Sequence, residues 1–121
     1  MRKNIPKTIM IADDEKDNRA LASRILRKDG YKVITAKSGT ECLRKLKKQK
    51  PHLVLMDVMM PGPPVKEVIA KIKRVPILYF TIVQMSSKEK KELRHGNVRG
   101  FVKKPISDKA LLAKVKKALK G

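Results

Sequence analysis

The sequence predicts an α/β fold, a doubly wound sheet of five parallel strands with helices on both of its faces. Five short apolar segments alternate with five segments whose apolar residues recur at helical spacing. Hydrophobic residues make up 41% of the 121 residues, which is enough to build a core. Strict alternation of strand and helix gives parallel strands joined by right-handed crossovers. We therefore expect one domain over residues 1–121, with no output domain.

The first two strand–helix pairs are predicted from buried runs and helix stop signals. Residues 8–12 form an apolar, β-branched run that is typical of a buried strand. The helix after it is expected to end near Gly30, and its inner face should follow the spacing of Leu21, Ile25 and Lys28, with Ala22 and Leu26 beside it. Apolar and polar side chains alternate over residues 31–36, which predicts a strand with one face partly exposed to solvent. A short helix over residues 38–50 follows, and Pro51 is expected to stop it.

The last three pairs follow from the same signals. Strands are predicted over residues 52–57, 77–83 and 98–104, and helices over residues 65–74, 86–96 and 106–120. Successive prolines make residues 61–64 a loop. The helix over residues 86–96 has little apolar surface beyond Leu93, so we expect it to be the least stable element. Ser107 is a plausible N-cap for the final helix.

The composition limits where the protein acts and what it binds. The single Cys42 cannot form an internal disulfide, and the longest apolar-rich run is too short to span a bilayer, so we expect a cytoplasmic protein without membrane insertion. Lys and Arg number 31 against 11 acids, a net charge of +20. Because these cations are spread along the chain, a solvated surface is the preferred interpretation. A basic module that binds nucleic acid or another polyanion stays open as an alternative.

Polar residues stand where the predicted strands end: Asp13, Asp14, Asp57, Thr81, Lys103 and Lys104. The carboxyl ends of parallel strands form one crevice, so these residues should converge. Taken singly, each has an ordinary explanation, such as an acid at a helix N-terminus or a surface lysine. Together, the gathered carboxylates would repel one another unless a divalent cation such as Mg²⁺ bound them. The set suits a site where one carboxylate attacks a phosphoryl group. A nucleotide-binding enzyme is unlikely, because acids rather than a glycine-rich loop follow the first strand.

Four motifs, in order, resemble a response-regulator receiver domain of the chemotaxis-type, single-domain sort. They are "IADDE" (residues 11–15), "LVLMDVMMPG" (residues 53–62), "FT" ending in Thr81, and "GFVKKP" (residues 100–105). The resemblance covers essentially the whole chain. It implies a flavodoxin-like (βα)5 fold with strand order 2-1-3-4-5. It also implies a phosphoacceptor switch in a two-component phosphorelay, which catalyses only its own phosphorylation and dephosphorylation.

The resemblance also implies a role for each site residue. Asp57 is the phosphoacceptor, receiving its phosphoryl group from a phosphohistidine on a histidine kinase or phosphotransfer protein. Asp14, Asp57 and the backbone carbonyl of Met59 ligate Mg²⁺, and Asp13 binds it through water. The remaining roles fall to Lys104, which pairs with the phosphoryl group, Thr81, which hydrogen-bonds it, and Phe101, whose rotamer follows. The downstream protein target is not identified by the sequence.

The sequence departs from the family pattern at three places. Pro64 and Val65, preceded by Pro63, stand where the loop after Asp57 usually carries an Asp-Gly pair. Ile82 stands where the residue after the threonine is usually small, and it is expected to crowd the phosphoryl pocket. This residue favours the alternative of a pseudo-receiver that binds partners without phosphorylation. The apolar Met59 predicts slow self-dephosphorylation. His52 and His95 are expected to be structural or solvated, and Cys42 a small core residue.

Overall fold

The computed structural model describes residues 6–94 and 97–120 and has five parallel strands in one sheet, in the order β2-β1-β3-β4-β5. The predicted fold class and strand order are confirmed. The strands are β1 (Thr8–Ala12), β2 (Lys32–Ala36), β3 (Leu53–Met56), β4 (Ile77–Thr81) and β5 (Val98–Lys103). The helices are α1 (Lys16–Lys28), α2 (Gly39–Leu46), α3 (Val65–Ala70), α4 (Ser87–Leu93) and α5 (Asp108–Lys120). His95 lies outside the described residues.

The core consists of two apolar layers, one on each face of the sheet. In β1, Ile9 and Ile11 face the layer that includes residues of α1 and α5, whereas Met10 and Ala12 face the layer that includes residues of α2 and α3. All four residues of β3 are buried. A strand buried on both faces reads as a continuous apolar run, which is why the central strands were predictable from sequence.

The buried face of α1 is turned by about one residue from the predicted one. Leu21, which was expected to face inward, is 49% exposed. Ala22 and Leu26 are buried and Ile25 is half-buried, as predicted, whereas Ser23 is buried and Lys28 is exposed. The small residues at positions 22 and 23 let the helix approach the sheet closely, so the larger Leu21 stays at the edge of the contact.

Several element ends differ from the prediction by two to four residues. The largest differences are at α2, which ends at Leu46 and not before Pro51, and at α3, which ends at Ala70 and not at residue 74. Arg74, four residues beyond this end, has a φ of +64°, a left-handed conformation that excludes it from a right-handed helix. Ile72 and Val75 are nevertheless buried, so the connection itself contributes to the core. At α5, Ser107 Oγ accepts a hydrogen bond from the Ala110 amide at 3.1 Å, which confirms the predicted cap.

Helix α4 has no buried residue. Its start is held by a capping box, in which Ser86 and Glu89 bond each other's backbone amides. Near its end, the Tyr79 hydroxyl donates to the Leu93 carbonyl at 3.1 Å. None of the helices in the described ranges is long and apolar enough to cross a membrane.

We expect α4 to exchange its amide hydrogens far faster than α1, because few buried contacts hold it. Hydrogen exchange followed by mass spectrometry of peptides from each helix measures the difference. Tyr79→Phe removes only the hydroxyl and should speed exchange at α4 without affecting α1. Equal protection of the two helices in the unmodified protein would contradict this expectation.

Candidate functional site

Asp13, Asp57, Thr81 and Lys104 meet at the carboxyl edge of the sheet. Asp13 follows β1, Asp57 follows β3, Thr81 ends β4 and Lys104 follows β5. Backbone hydrogen bonds hold two of these residues against a neighbouring strand. The Asp57 amide donates to the Ala12 carbonyl at 3.0 Å, and the Lys104 amide donates to the Thr81 carbonyl at 2.8 Å. All four side chains are buried, at 2–8% exposure. The site is therefore built on strand ends rather than on loose loops.

Three carboxylates form the acidic part of the site. Oxygen atoms of Asp13, Asp14 and Asp57 lie within 4.8 Å of one another, and Asp14 is exposed while the other two are buried. Mg²⁺ takes oxygen ligands at about 2.1 Å and keeps several waters, so it is usually bound by one or two carboxylates and not by a closed protein cage. An all-oxygen cluster with one exposed side fits that ion.

Lys104 balances the two buried acids. Its Nζ lies 2.5 Å from Asp13 Oδ2 and 3.3 Å from Asp57 Oδ2. The same ammonium is 4.9 Å from the centroid of the Phe80 ring, within the range of a cation–π contact. A buried carboxylate is costly without a partner, and this ammonium supplies one. Asp57 can therefore stand inside an otherwise apolar run.

The two oxygens of Asp57 have different partners. Oδ1 accepts hydrogen bonds from the Thr81 hydroxyl and from the Met59 amide, both at 2.9 Å. Oδ2 faces Lys104. No buried side-chain nitrogen or oxygen of the described residues lacks a hydrogen-bond partner. The Asp57 carboxylate is therefore held in one orientation from three directions.

The sequence interpretation missed Arg19, which supports the site from α1. Its guanidinium Nη1 donates to the Asp13 carbonyl at 2.8 Å, and Asp13 Oδ1 accepts from the Glu15 amide at 2.9 Å. Both contacts fix the turn that presents the acids. An arginine in the first turn of a helix opposes the helix dipole, and that misplacement was the available signal.

The two adjacent lysines, Lys103 and Lys104, lie in different environments. Lys104 contacts the acids, whereas Lys103 is exposed at the end of β5. Phe101 lies outside the acid cluster and stacks on Tyr79, with ring centroids 5.0 Å apart. Lys90 and Arg94 of the α4 region approach the Phe101 ring at 5.8 and 5.4 Å from its centroid. Phe101 therefore stands between β4 and α4.

The residues that departed from the family pattern lie at the rim. Ile82 is 65% exposed and lines a groove of about 250 Å³ that also reaches Leu21, Ile106 and Lys104. Met59 is 61% exposed. Pro64 is the N-cap residue of α3. His52, away from the site, accepts a hydrogen bond on Nδ1 from the Thr8 amide at 3.0 Å, as expected of a structural histidine.

Comparison with known proteins gives one family. The model of the response regulator receiver domain matches residues 9–116. The chain is 27% identical to the polar-differentiation response regulator DivK of Brucella anthropi over 121 residues, covering 95% of this chain and 98% of that protein. It is 31% identical to the alkaline phosphatase synthesis transcriptional regulatory protein PhoP of Bacillus subtilis, covering 94% of this chain and 49% of that protein.

Solved structures of response regulators share the fold of this chain. The chemotaxis protein CheY4 of Vibrio cholerae superposes with a TM-score of 0.83 at 29% identity, covering 94% of this chain and 99% of that one. The response regulator TrrA of Thermotoga maritima, in complex with Mg²⁺ and BeF, gives 0.79 at 30% identity, covering 93% and 98%.

The fold and the site thus define a signalling domain of two-component systems. The chain belongs to the response regulator receiver domain family.

We expect Lys104→Met to lower the free energy of unfolding by about 3 kcal/mol in the absence of divalent cations, because it leaves two buried carboxylates without their ammonium. Added Mg²⁺ should restore much of that loss, since the cation binds the same acids. Urea denaturation with EDTA and with MgCl₂ measures both effects. Lys103→Met is the matched control and should change stability little. A Lys104→Met protein as stable as this control in EDTA would contradict the expectation.

Proposed function

We propose that the chain is a phosphoacceptor switch that takes a phosphoryl group on Asp57 and signals through a changed protein-binding face. The donor is a phosphohistidine of a histidine kinase or phosphotransfer protein. The observation that carries the proposal is the contact set of Asp57: Thr81 and the Met59 amide on one oxygen, Lys104 on the other. These groups can hold the Asp57 carboxylate before the reaction and the phosphoryl group attached to it afterwards.

Each site residue has its own role in the proposed reaction. Asp13, Asp14 and Asp57, with the carbonyl of Met59, would hold Mg²⁺, which supplies positive charge against the phosphoryl oxygens. An oxygen of Asp57 attacks phosphorus, the phosphorus–nitrogen bond breaks, and the departing imidazole keeps the electron pair. Lys104 exchanges its contact with a carboxylate for a phosphoryl oxygen, and the Thr81 hydroxyl donates to another.

The switch follows from what Thr81 and Phe101 contact. Thr81 Oγ1 also accepts from the Val83 amide at 3.3 Å, so movement of Thr81 displaces the connection that leads into α4. At the far end of that helix, Phe101 is in contact with Lys90 and Arg94. A new Phe101 rotamer would break these contacts and change the surface formed by α4, β5 and α5. Because α4 has no buried residue, little free energy opposes its repacking.

The phosphorylation-independent alternative rested on Ile82, and the position of that side chain does not favour it. Ile82 is 65% exposed and lines the groove beside α1. Its side chain therefore lies mostly in solvent and does not fill the acid cluster around the buried Asp57.

The direct test is incubation with acetyl phosphate and MgCl₂, followed by intact-mass measurement. We expect the mass to rise by one phosphoryl group, and no rise with EDTA or in Asp57→Asn. Asp29→Asn, at an exposed acid beyond α1, is the matched control and should be labelled like the unmodified chain. Labelling of Asp57→Asn, or no labelling of the unmodified chain, would refute the proposal.

A second expectation concerns the lifetime of the phosphorylated form. The exposed Met59 side chain beside Asp57 cannot orient an attacking water, so the phosphoryl group should persist for minutes or longer. Met59→Gln should shorten the lifetime, and Met59→Leu should not. Loss of the label with time, measured by mass after acetyl phosphate is removed, distinguishes them. A lifetime of seconds in the unmodified protein would sink this idea.

A further inference from the structure

A groove with an apolar floor and a cationic rim lies at the opposite edge of the sheet from the acids, between the α2–β3 and α3–β4 connections. Its volume is about 420 Å³. The floor consists of Leu43, Leu46, Ile72 and Val75. The rim consists of Lys47, Lys50, Lys71 and Lys73.

A second groove, of about 670 Å³, continues the first and shares Ile72 and Lys73 with it. It adds Arg74 to the rim and Asn97 at its far end, before β5. We call the two grooves together the basic channel, defined by Lys47, Lys50, Lys71, Lys73 and Arg74. Since it passes below β3, β4 and β5, whose spacing is about 4.8 Å, it is wide enough for several residues of an extended chain.

Helix dipoles account for only part of this charge. A cation stabilises the carboxyl end of a helix within its last turn. Lys50, Lys73 and Arg74 lie beyond the last turns of α2 and α3. In the ranges that the structure describes, no cation of the basic channel forms an ion pair with an acid. Five unpaired like charges around one groove repel each other, and an anionic occupant removes that cost.

We propose that the basic channel binds an acidic amphipathic segment of a partner protein. Acidic side chains of the segment pair with the rim, and its aliphatic side chains lie on the floor. Charge complementarity sets the sign of the occupant, and the aliphatic floor sets its apolar part. Single-stranded nucleic acid is less well matched, because bases stack on aromatic side chains and no aromatic residue lines either groove in the described part of the chain. A membrane surface is less well matched too, because Leu43 and Leu46, the half-buried part of the floor, lie inside a groove and do not project from it into lipid.

The channel and the acidic site are at opposite edges of the sheet. A strand of five residues separates them by roughly 16 Å, about twice the screening length in physiological salt. Occupation of the channel should therefore not depend on phosphorylation. The segment would anchor the switch to its partner while the rim around Asp57 stays open to the phosphodonor.

The test is fluorescence anisotropy with a labelled synthetic peptide that alternates glutamate with leucine or valine. We expect the triple variant Lys50→Gln, Lys71→Gln, Lys73→Gln to bind it at least tenfold more weakly. The matched control is Lys109→Gln, Lys114→Gln, Lys117→Gln, which removes the same charge from exposed positions of α5, across the sheet, and should bind within twofold of the unmodified chain. Thermal unfolding should show the channel variant to be at least as stable as the control, since it relieves repulsion.

Three further probes decide between the occupants. A peptide with serine in place of leucine and valine keeps the charge but should bind much more weakly. Oligothymidylate and vesicles containing phosphatidylglycerol should each bind more weakly than the acidic peptide. Equal losses in the two triple variants, equal binding of the serine peptide, or tighter binding of the oligonucleotide or vesicles would each overturn the proposal. Phosphorylation of both variants by acetyl phosphate should be unchanged, which separates this result from the role of Asp57.

Discussion

The contact of one ammonium group with two buried carboxylates constrains the whole architecture. Lys104 stands after β5, while Asp13 and Asp57 follow β1 and β3. In a flat sheet of this order, β5 and β1 are three strand spacings apart, roughly 14 Å. The contact therefore needs sheet twist, a lysine that reaches across β4, and turns anchored by backbone bonds such as Lys104 N to Thr81 O. A slip of one residue in β5 would send Lys103 to the acids and Lys104 to solvent.

Much of the site could be predicted from the sequence, because its residues lie at the ends of buried parallel strands. Strands buried on both faces show as apolar runs, and parallel strands present their carboxyl ends at one edge. The position of Asp57 at the end of β3 follows from these two rules alone, whereas β4 was predicted to run to residue 83 and ends at Thr81. Helix faces were less predictable, because the sequence pattern puts both Leu21 and Ala22 on the inner face of α1 and packing buries only Ala22. The end of α3 was not predictable, since Ile72 continues the helical spacing of apolar residues although the helix has already ended at Ala70.

Contacts between distant polar and aromatic groups were also missed, since no periodicity encodes them. Arg19 holds a backbone carbonyl, and a carbonyl leaves no trace in a sequence pattern. Tyr79 combines two roles: its ring stacks on Phe101 and its hydroxyl holds the end of α4. Burial raises the pKa of this phenol, so it remains a hydrogen-bond donor. The helix with the fewest apolar contacts is thus attached through the ring pair that the proposed switch would move.

The acid cluster and the basic channel lie at opposite ends of the strands, and the topology favours this arrangement. Every helix starts at the carboxyl edge of the sheet and ends at the opposite edge, so helix dipoles favour acids at the first edge and cations at the second. Asp13, Asp14 and Asp57 are at the first edge, and the basic channel is at the second. The acids at the first edge need the dipole only weakly, because Lys104 balances Asp13 and Asp57. The cations of the basic channel extend past the last helical turns, where the dipole no longer stabilises them. An excess of charge that the fold itself does not need is the physical ground for assigning that edge to a partner.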